Sequence, residues 1–411
     1  MTSRASTSLG APSLNRRSPS WSPEHAVLVV ALVLALSALV RLLLRGYEYP
    51  TSDPHFSVMA TAFLHGHLDI PSGLKDTSLF HGRWYVPFGP VPGLLSVPLV
   101  VLLGPATKPI ILGVLVTAAA VPALWITWRA VGVEGNVARA WLTLLVIGGT
   151  EVLSALVVDS TYFVGHLVVF AALSWALALA LEGRLPAVAG LMLGLAMATR
   201  MPTALAALPL GLLYFRHAGM RATLAFGLPA LAMLGLTGAY NAARFGSPLE
   251  TGYKYQALPD PALSEAYRAG LLSLRHLPKN LYFFAIAAPD LVGGNDVPIL
   301  RRPYLRPSPW GTGVIFVSPW LLAGLWARGS RAAILAVGGL LVLAPGLLAV
   351  GGGFVQFGYR YSIDALPFFA ALAALGIARR GAYRWLGPLA LLALLVNIWG
   401  AYWLTHLLVG R

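Results

Sequence analysis

The sequence of 411 residues contains no cysteine. This absence excludes disulfide bonds, thiolate catalysis, iron–sulfur clusters and zinc–thiolate sites. Charged residues are also scarce, at 11% of the chain, whereas soluble proteins average about 25%. A chain with so few charges cannot present a mainly polar surface to water, and we therefore exclude a soluble enzyme.

Apolar residues make up 57% of the chain, and the mean hydropathy is +0.73. Both values indicate a polytopic membrane protein. The net charge is +14, from 29 basic and 15 acidic residues. The basic residues lie in many separate hydrophilic gaps, so we assign them to loops that face anionic lipid. Membrane lipid is therefore an expected partner and nucleic acid is not.

Apolar stretches long enough to approach a bilayer span, about 17–25 residues, recur along the chain. We predict an all-α polytopic membrane protein with about eleven transmembrane helices and extracytoplasmic juxtamembrane helices. The predicted spans are 26–44, 109–128, 140–157, 162–181, 185–200, 202–215, 222–240, 309–327, 331–350, 364–378 and 385–405.

The N-terminal residues 1–24 are rich in serine and proline, which predicts a disordered cytoplasmic tail. In a signal peptide the apolar stretch would lie nearer the start and a small-residue cleavage site would follow it, whereas here the apolar run 26–44 ends in Arg41 and Arg45. We therefore predict a first helix that is retained, and a single transmembrane domain over residues 25–411.

The topology depends on residues 90–104, an apolar stretch that contains three prolines. If this stretch does not span the membrane, the N-terminus is cytoplasmic. The tail and the short inner loops then carry 13 arginines, against three in the short outer connections. The positive-inside rule favours this arrangement, which leaves two long outer loops at 45–107 and 241–308.

The first outer loop places an acid just after the first span. Asp53 is followed by Pro54, and Phe56, Met59 and Phe63 then recur at helical spacing, which predicts an amphipathic helix. Asp before Pro is a standard helix start, so one interpretation of Asp53 is an N-cap. The other is a general base held at the membrane surface.

Several motifs follow one another in a fixed order. They are AFLHGHL, HGRWYVPFGPVPGLLSVP, ATRMPT, NAARFGSPLETGY, WGTGVIFVSPWLL and FVQFGYRYSIDALPFF. Each motif is weak by itself, but together they resemble the membrane-embedded glycosyltransferases of the GT-C superfamily over nearly the whole chain. Protein O-mannosyltransferases and the lipid A aminoarabinose transferase are relatives within this superfamily.

The resemblance implies inverting transfer of a sugar from a polyprenyl-phosphate carrier to a glycan, lipid or protein acceptor. The reaction would take place on the extracytoplasmic side of the cytoplasmic membrane. The first-loop acid of the superfamily, its general base, maps onto Asp53. Many relatives have an Asp-Glu pair there, whereas this chain has Asp53 followed by Pro54. Asp76, in the same loop, is the reserve candidate for the base.

Two further carboxylates fall at or near the outer ends of predicted spans. Asp159 is a candidate for binding the acceptor or a metal, or for capping the next helix. Glu151 lies within or beside a span, where a buried carboxylate is costly and is a functional candidate by default; pairing with an arginine is the alternative. The candidate acceptor-binding or auxiliary residues are Asp159, Glu151, Tyr253 and Tyr361.

Three arginines, Arg200, Arg244 and Arg360, fall at outer ends of predicted spans. Arginine binds phosphate oxygens bidentately, so the resemblance makes these residues candidates for the donor phosphate site. Snorkelling of the side chain to lipid headgroups explains Arg360 equally well.

The histidines of the first loop, His55, His65, His67 and His81, are interpreted as interfacial or structural residues. A metal site would need a convergent geometry that spacing does not show. We assign no metal ligands and no certain cofactor. A divalent cation is the one cofactor that the acidic residues of the outer loops could bind. No Asp-x-Asp, Walker or Gly-x-Gly-x-x-Gly element is present, which argues against a soluble type of nucleotide-sugar enzyme and against an ATP-driven pump.

Two other functions are compatible with these residues. A non-enzymatic transporter or lipid flippase would also use acids and arginines that face a cavity, although it does not need the two large outer loops. A degenerate scaffold for envelope assembly is the second alternative, because the paired Asp-Glu is missing.

The predicted topology can be tested by labelling, since the chain has no native thiols. We expect Gly104→Cys or Pro105→Cys to react with a membrane-impermeant reagent in intact cells. Arg184→Cys, in a predicted inner loop, should react only after permeabilisation. If the thiols at 104 and 105 also need permeabilisation, residues 90–104 span the membrane and the predicted arrangement is wrong.

Overall fold

The computed structural model describes residues 54–256, 267, 270–293 and 299–407. The predicted tail, the first predicted span at 26–44 and Asp53 lie outside these residues. The eleven-span count therefore stays a prediction.

The described part of the first loop forms a helix, a β-hairpin and a second helix. These elements are α1 (His55–Leu64), β1 (Ser78–Phe80), β2 (Arg83–Tyr85) and α2 (Pro90–Leu103). Strand β1 pairs with β2 in antiparallel register, with Ser78 opposite Tyr85. Helix α2 covers the proline-containing stretch, and its 14 residues are short for a span of the roughly 30 Å hydrocarbon core.

Helix α1 is the amphipathic helix that the spacing of apolar residues predicted. Phe56 and Met59 are buried, and Phe63 packs against the same apolar cluster. The predicted stripe therefore faces protein. The residue before the helix is Pro54, which provides no side-chain cap, and Asp53, the predicted cap, lies outside the described residues.

A bundle of long helices follows. It begins with α3 (Pro109–Ala130), α4 (Asn136–Gly148), α5 (Glu151–Val157), α6 (Thr161–Glu182), α7 (Pro186–Thr199) and α8 (Ala207–Phe245). A 3₁₀ helix, Met201–Ala206, joins α7 to α8. Helices α4 and α5 are bent by 59° relative to each other, so the predicted span 140–157 is a broken helix.

Helix α6 is the centre of the bundle. In its most apolar stretch, 94% of the residues are buried, and it packs against α3, α7 and α8. A helix that is apolar on all sides needs protein or lipid on all sides. Because α6 is enclosed by other helices, the polar side chains that it carries depend on protein groups for hydrogen bonds.

Helix α8 reverses direction at Gly219, whose backbone angles are φ 71° and ψ −166°. The rings of Tyr214 and Phe226 stack with 5.3 Å between their centroids. In a straight helix, residues this far apart in sequence would be about 18 Å apart along the axis. The two arms of α8 are thus antiparallel neighbours, as the separate predicted spans 202–215 and 222–240 require.

The remaining elements include a second hairpin. After two short 3₁₀ turns (Tyr253–Tyr255 and Leu274–His276) they are α9 (Leu277–Ala285), β3 (Asp290–Gly293), β4 (Leu300–Arg306), α10 (Val314–Val317), a 3₁₀ helix (Pro319–Trp326), α11 (Ser330–Leu348), α12 (Ser362–Arg380), a 3₁₀ turn (Ala382–Trp385) and α13 (Leu386–Leu407). Strand β3 pairs with β4, and the register shifts between Leu291 and Gly293. Helix α12 packs on the 3₁₀ helix and α11, and α13 packs on α4 and α5.

Two predictions about secondary structure are corrected. The all-α class is incomplete, because each of the two long loops that were predicted to lie outside contains a two-stranded hairpin. The predicted span 309–327 is not one regular α-helix: α10 ends at Val317, and a 3₁₀ helix begins at Pro319. Proline has no N–H to continue the α-helical hydrogen bonds, which explains the change.

In the described residues, six helices are long and apolar enough to cross a membrane when the two arms of α8 are counted as one, and the bent pair α4 and α5 makes a seventh. The six are α3, α6, α8 with its preceding 3₁₀ helix, α11, α12, and α13 with its preceding turn. The chain is therefore a multi-pass membrane protein.

The two ends of the bundle differ in their polar residues. Helices α3, α6 and α12 all begin at one end of the bundle, which we call the first end. The opposite end is called the second end. At the second end, Arg129 pairs with Glu182 at 3.1 Å, and Arg331 donates to the Ala130 carbonyl. The helix ends there also carry Arg139, Arg184, Arg328, Arg379, Arg380 and Arg384. This is the arginine-rich side that the sequence predicted to be cytoplasmic.

Close packing of α7 against α8 generates a stability prediction. A Cβ at Gly190 would lie 1.9 Å from the Phe226 carbonyl oxygen. Gly190→Ala should therefore force the helices apart and cost about 1–3 kcal/mol. Gly227→Ala is the matched control, because a Cβ there meets nothing within 4 Å. Thermal unfolding of the purified proteins in detergent measures both. Equal melting temperatures would contradict this packing.

Candidate functional site

Charged and aromatic side chains gather at the first end of the bundle. We call this group the acid–arginine cluster, and it consists of Asp76, Tyr162, His166, Arg200, Arg360, Tyr361 and Asp364. Its members come from the first loop, from α6, from the end of α7, and from α12 with the loop before it. Contacts run from one side chain to the next in the order Asp76, Tyr162, Arg360, Tyr361, Arg200, Asp364 and His166, so the cluster forms one continuous arc.

One end of the arc is Asp76, in the turn that precedes β1. Its backbone is left-handed, with φ 57°, and its carbonyl accepts a hydrogen bond of 2.8 Å from Gln256 Nε2. The Asp76 Oδ2 atom accepts a hydrogen bond from the Tyr162 hydroxyl. Asp76 is half-buried. The turn geometry thus directs a carboxylate toward the start of α6.

The middle of the arc contains two arginines around one tyrosine ring. The Arg360 guanidinium carbon lies 5.7 Å from the centre of the Tyr162 ring and 5.8 Å from that of Tyr361. The Arg200 guanidinium carbon lies 5.2 Å from the centre of the Tyr361 ring. Such distances are typical of cation–π contacts. Two of the three predicted phosphate-binding arginines therefore meet at one place.

The other end of the arc is a buried ion-pair network. Asp364 Oδ2 lies 2.9 Å from Arg200 Nε, and Asp364 Oδ1 lies 2.7 Å from His166 Nδ1. The side chains of His166 and Asp364 are only 1% and 6% exposed. A buried carboxylate requires such partners, because its desolvation is otherwise very costly.

Glu151 anchors the loop that carries Arg360. It is the first residue of α5, and its Oε2 accepts a hydrogen bond from the backbone N–H of Gly358. A Cβ on Gly358 would lie 2.5 Å from this oxygen, so only glycine lets the loop approach so closely. Glu151 therefore positions backbone, and among the described residues it forms no ion pair with arginine.

Asp159 caps a helix, but a different one from the helix predicted. Its Oδ1 accepts a hydrogen bond of 3.0 Å from the backbone N–H of Ile110, in the first turn of α3. The sequence placed the cap on the helix that follows Asp159, which is α6. The two helices start side by side at the first end, so a residue before α6 reaches the start of α3.

Arg244, the third predicted phosphate ligand, is only 4% exposed. Its Nη1 donates to the Val86 carbonyl at 2.7 Å, and its Nη2 donates to Asn241 Oδ1 at 2.9 Å. The Tyr240 ring covers its guanidinium at 3.9 Å. Arg244 thus holds the first loop against the end of α8, and the structure does not place it in the arc.

Two aromatic residues flank the arc. Tyr253, a predicted acceptor-binding residue, lies with its ring centre 6.5 Å from that of Phe88. His55 contacts both Phe88 and Tyr162 at ring-centre distances of 5.4 and 6.1 Å, and its Nε2 bonds the Lys75 carbonyl at 2.7 Å. The base candidate Asp53 lies outside the described residues, two positions before His55 in the sequence.

His166 and Asp364 were missed by the sequence analysis. Both are polar residues inside apolar segments that were already assigned as spans. Ionisable residues within membrane helices are rare and are functional candidates by default. That rule, applied to α6 and α12 as it was to Glu151, would have found them.

No group of three or more His, Asp or Glu side chains converges as a metal site within the described residues.

Comparison with solved structures identifies the architecture. The crystal structure of ArnT from Cupriavidus metallidurans bound to undecaprenyl phosphate matches 95% of this chain and 79% of that chain, with a TM-score of 0.58 and 14% identity. The chain has the fold of a GT-C membrane glycosyltransferase. The GT-C resemblance of its motifs is therefore confirmed at the level of fold.

Other GT-C structures align less closely. The apo Archaeoglobus fulgidus oligosaccharyltransferase matches with a TM-score of 0.47 at 13% identity, over 95% of this chain and 56% of that chain. The oligosaccharyltransferase AglB of the same organism, with an inhibitory peptide and a dolichol-phosphate, gives 0.45 at 12% identity, over 92% and 55%. No protein-family profile and no curated protein sequence matches the chain. We base the GT-C fold assignment on ArnT alone.

The capping role of Asp159 can be separated from a role in chemistry. Asp159→Asn keeps an oxygen for the Ile110 N–H, so stability and activity should be nearly unchanged. Asp159→Ala should lose about 1 kcal/mol of unfolding free energy. Thermal unfolding and glycosyl transfer are measured on the same preparations. Strongly reduced transfer by a stable Asp159→Asn protein would show that the carboxylate acts on a substrate or metal.

Proposed function

We propose that the protein is a membrane glycosyltransferase that moves a sugar from a polyprenyl-phosphate carrier to an acceptor. The observation that carries this proposal is the acid–arginine cluster at the first end. A carboxylate and two arginines there meet the needs of the two reacting partners, an acceptor hydroxyl and a phosphate leaving group. The ArnT structure, which has the same fold, contains bound undecaprenyl phosphate.

Arg200 and Arg360 are proposed to bind the carrier phosphate. Both guanidinium groups lie within 6 Å of the Tyr361 ring centre, and we propose that they act on one anion. Preorganised cations stabilise negative charge that develops on the leaving phosphate. The planar guanidinium also matches phosphate oxygens bidentately. Arg244 is left out of this group because its bonds to Val86 and Asn241 occupy it.

Asp53 is proposed as the general base, on the basis of its match to the first-loop acid of the superfamily. It precedes α1, whose first residue His55 contacts Tyr162 of the cluster. Asp76 is the reserve candidate and is supported by its hydrogen bond to Tyr162. That hydrogen bond occupies Oδ2 and leaves Oδ1 to accept a proton.

In the proposed reaction, the base takes the proton of the acceptor hydroxyl as the oxygen attacks the anomeric carbon. The bond between this carbon and the phosphate oxygen breaks, and its electron pair leaves with the phosphate. Attack from the face opposite the phosphate inverts the anomeric configuration. The arginines hold the leaving phosphate, so it needs little protonation.

The proposed acceptor is a glycan, lipid or protein with a free hydroxyl. Tyr253 lies beside the cluster and is proposed to contact it, together with Tyr361. The location follows from the ends of the bundle: the arginine-rich second end would face the cytoplasm. The cluster would then face the extracytoplasmic side of the cytoplasmic membrane.

The base assignment predicts a specific pattern of variants. Asp53→Asn cannot take a proton at neutral pH, and we expect transfer to fall by roughly 10²–10⁴-fold. Asn is nearly as good as Asp at a helix start, so the melting temperature should stay the same. Purified protein is assayed with a polyprenyl-phosphate sugar, and the released carrier phosphate is quantified.

Asp76→Asn is the matched comparison, because Tyr162 can still donate to its amide oxygen. If Asp76→Asn loses activity while Asp53→Asn keeps it, the base is Asp76. Full activity in both single variants and in the double variant would rule out a first-loop carboxylate base. Absence of any sugar transfer by the wild-type protein, combined with movement of the lipid across vesicles, would favour a flippase.

A further inference from the structure

Asp364 connects three parts of the bundle through one carboxylate. Oδ1 accepts a hydrogen bond from His166 on α6, and Oδ2 accepts one from Arg200 at the end of α7. Asp364 itself lies in the first turn of α12. The distances are 2.7 and 2.9 Å, so both carboxylate oxygens are engaged in well-formed bonds.

Arg200 is the member of this group that reaches out of the core. Its side chain is 25% exposed, whereas those of His166 and Asp364 are almost fully buried. The bond to Asp364 uses Nε. Within the described part of the chain, the terminal nitrogens Nη1 and Nη2 of Arg200 make no hydrogen bond to protein. Their N–H groups are therefore available to a ligand.

An arginine that is held in this way loses little conformational freedom when it binds. The Nε bond fixes the plane of the guanidinium, and the carboxylate is fixed in turn by a histidine on the most enclosed helix. Preorganisation of this kind increases both affinity and electrostatic stabilisation, because the ordering does not have to occur on binding.

We propose that His166 and Asp364 are positioning residues that orient Arg200 toward the phosphate of the polyprenyl carrier. This inference rests on the proposed function. Neither residue touches the substrate: Asp364 acts through Arg200, and His166 acts through Asp364. The pair would serve the phosphate group specifically and would contribute nothing to recognition of the isoprenoid chain.

A purely structural role of the same network predicts a different result. If the three side chains only stabilise the packing of α6, α7 and α12, their loss would weaken the binding of every ligand to a similar degree. The discriminating measurement is therefore the preference of the protein for a polyprenyl phosphate over the corresponding uncharged polyprenol. Undecaprenyl phosphate and undecaprenol are the two probes.

Binding of both probes to detergent-purified protein is measured for the wild type and a set of variants. His166→Ala removes the donor to Asp364 and keeps the Asp364–Arg200 pair, so it is the variant best able to fold. His166→Asn retains an N–H donor for Asp364. Asp364→Asn removes the charge that holds Arg200, and Arg200→Ala removes the phosphate ligand itself.

Thr143→Val is the matched control for loss of a buried hydrogen bond. Thr143 Oγ1 accepts a bond of 3.0 Å from Trp128 Nε1, and both residues are buried outside the cluster. This variant should lower the melting temperature without changing the preference for phosphate. It shows how much a general loss of stability alters binding.

We expect the preference for the phosphate to fall by about tenfold in His166→Ala, as for loss of a hydrogen bond to a charged group. The preference for the phosphate should fall further in Asp364→Asn and Arg200→Ala, whereas His166→Asn should retain most of this preference. Undecaprenol affinity should stay the same in all four.

Two outcomes would overturn the inference, and they are distinguishable. A wild-type preference for phosphate that survives unchanged in His166→Ala refutes the positioning role and leaves the proposed function standing. A wild-type protein that binds undecaprenol as tightly as undecaprenyl phosphate refutes the proposed carrier site and the positioning role with it.

Discussion

The pairing of Asp364 with Arg200 and His166 is the interaction on which the first end of the bundle depends. A carboxylate in an apolar interior is costly unless it is fully partnered. Here the aspartate and arginine charges balance, and His166 donates to the second oxygen. Removing Arg200 would leave the Asp364 charge buried without a counter-charge, so α6, α7 and α12 must keep their mutual register. The positions of Tyr361 and Arg360, just before α12, follow from that register.

Breaks in the helices create backbone groups that need partners, and polar side chains from elsewhere supply them. Unsatisfied N–H and C=O groups are especially costly in a membrane protein. Glu151 accepts from Gly358, Asp159 accepts from Ile110, and Trp320 donates to the Gly149 carbonyl at the α4–α5 bend. The few polar residues of this apolar chain therefore concentrate where helices begin, end or bend.

The same constraint separates the arginine and aspartate that bind protein groups from the two arginines proposed to bind phosphate. Arg244 donates to the Val86 carbonyl and to the Asn241 side chain, and Asp159 accepts from the Ile110 backbone N–H, so both residues bind protein groups. Arg200 and Arg360 keep part of their guanidinium groups accessible while aromatic rings and Asp364 fix their orientation. A surface arginine would instead move freely and snorkel to headgroups. Restrained but accessible cations are suited to a phosphate that must bind, react and leave.

The sequence by itself determined the membrane class, most of the helical segments and the buried stripe of α1, because hydropathy and helical spacing depend only on nearby residues. The order of its motifs also indicated the GT-C fold. Only the tertiary structure decided which polar groups meet. His166 and Asp364 are 198 positions apart, and Asp159 caps a helix that starts about 50 residues earlier. The packing of the helices determines which buried polar groups become hydrogen-bond partners. Sequence spacing carries no information about contacts between residues that are about 50 to 200 positions apart.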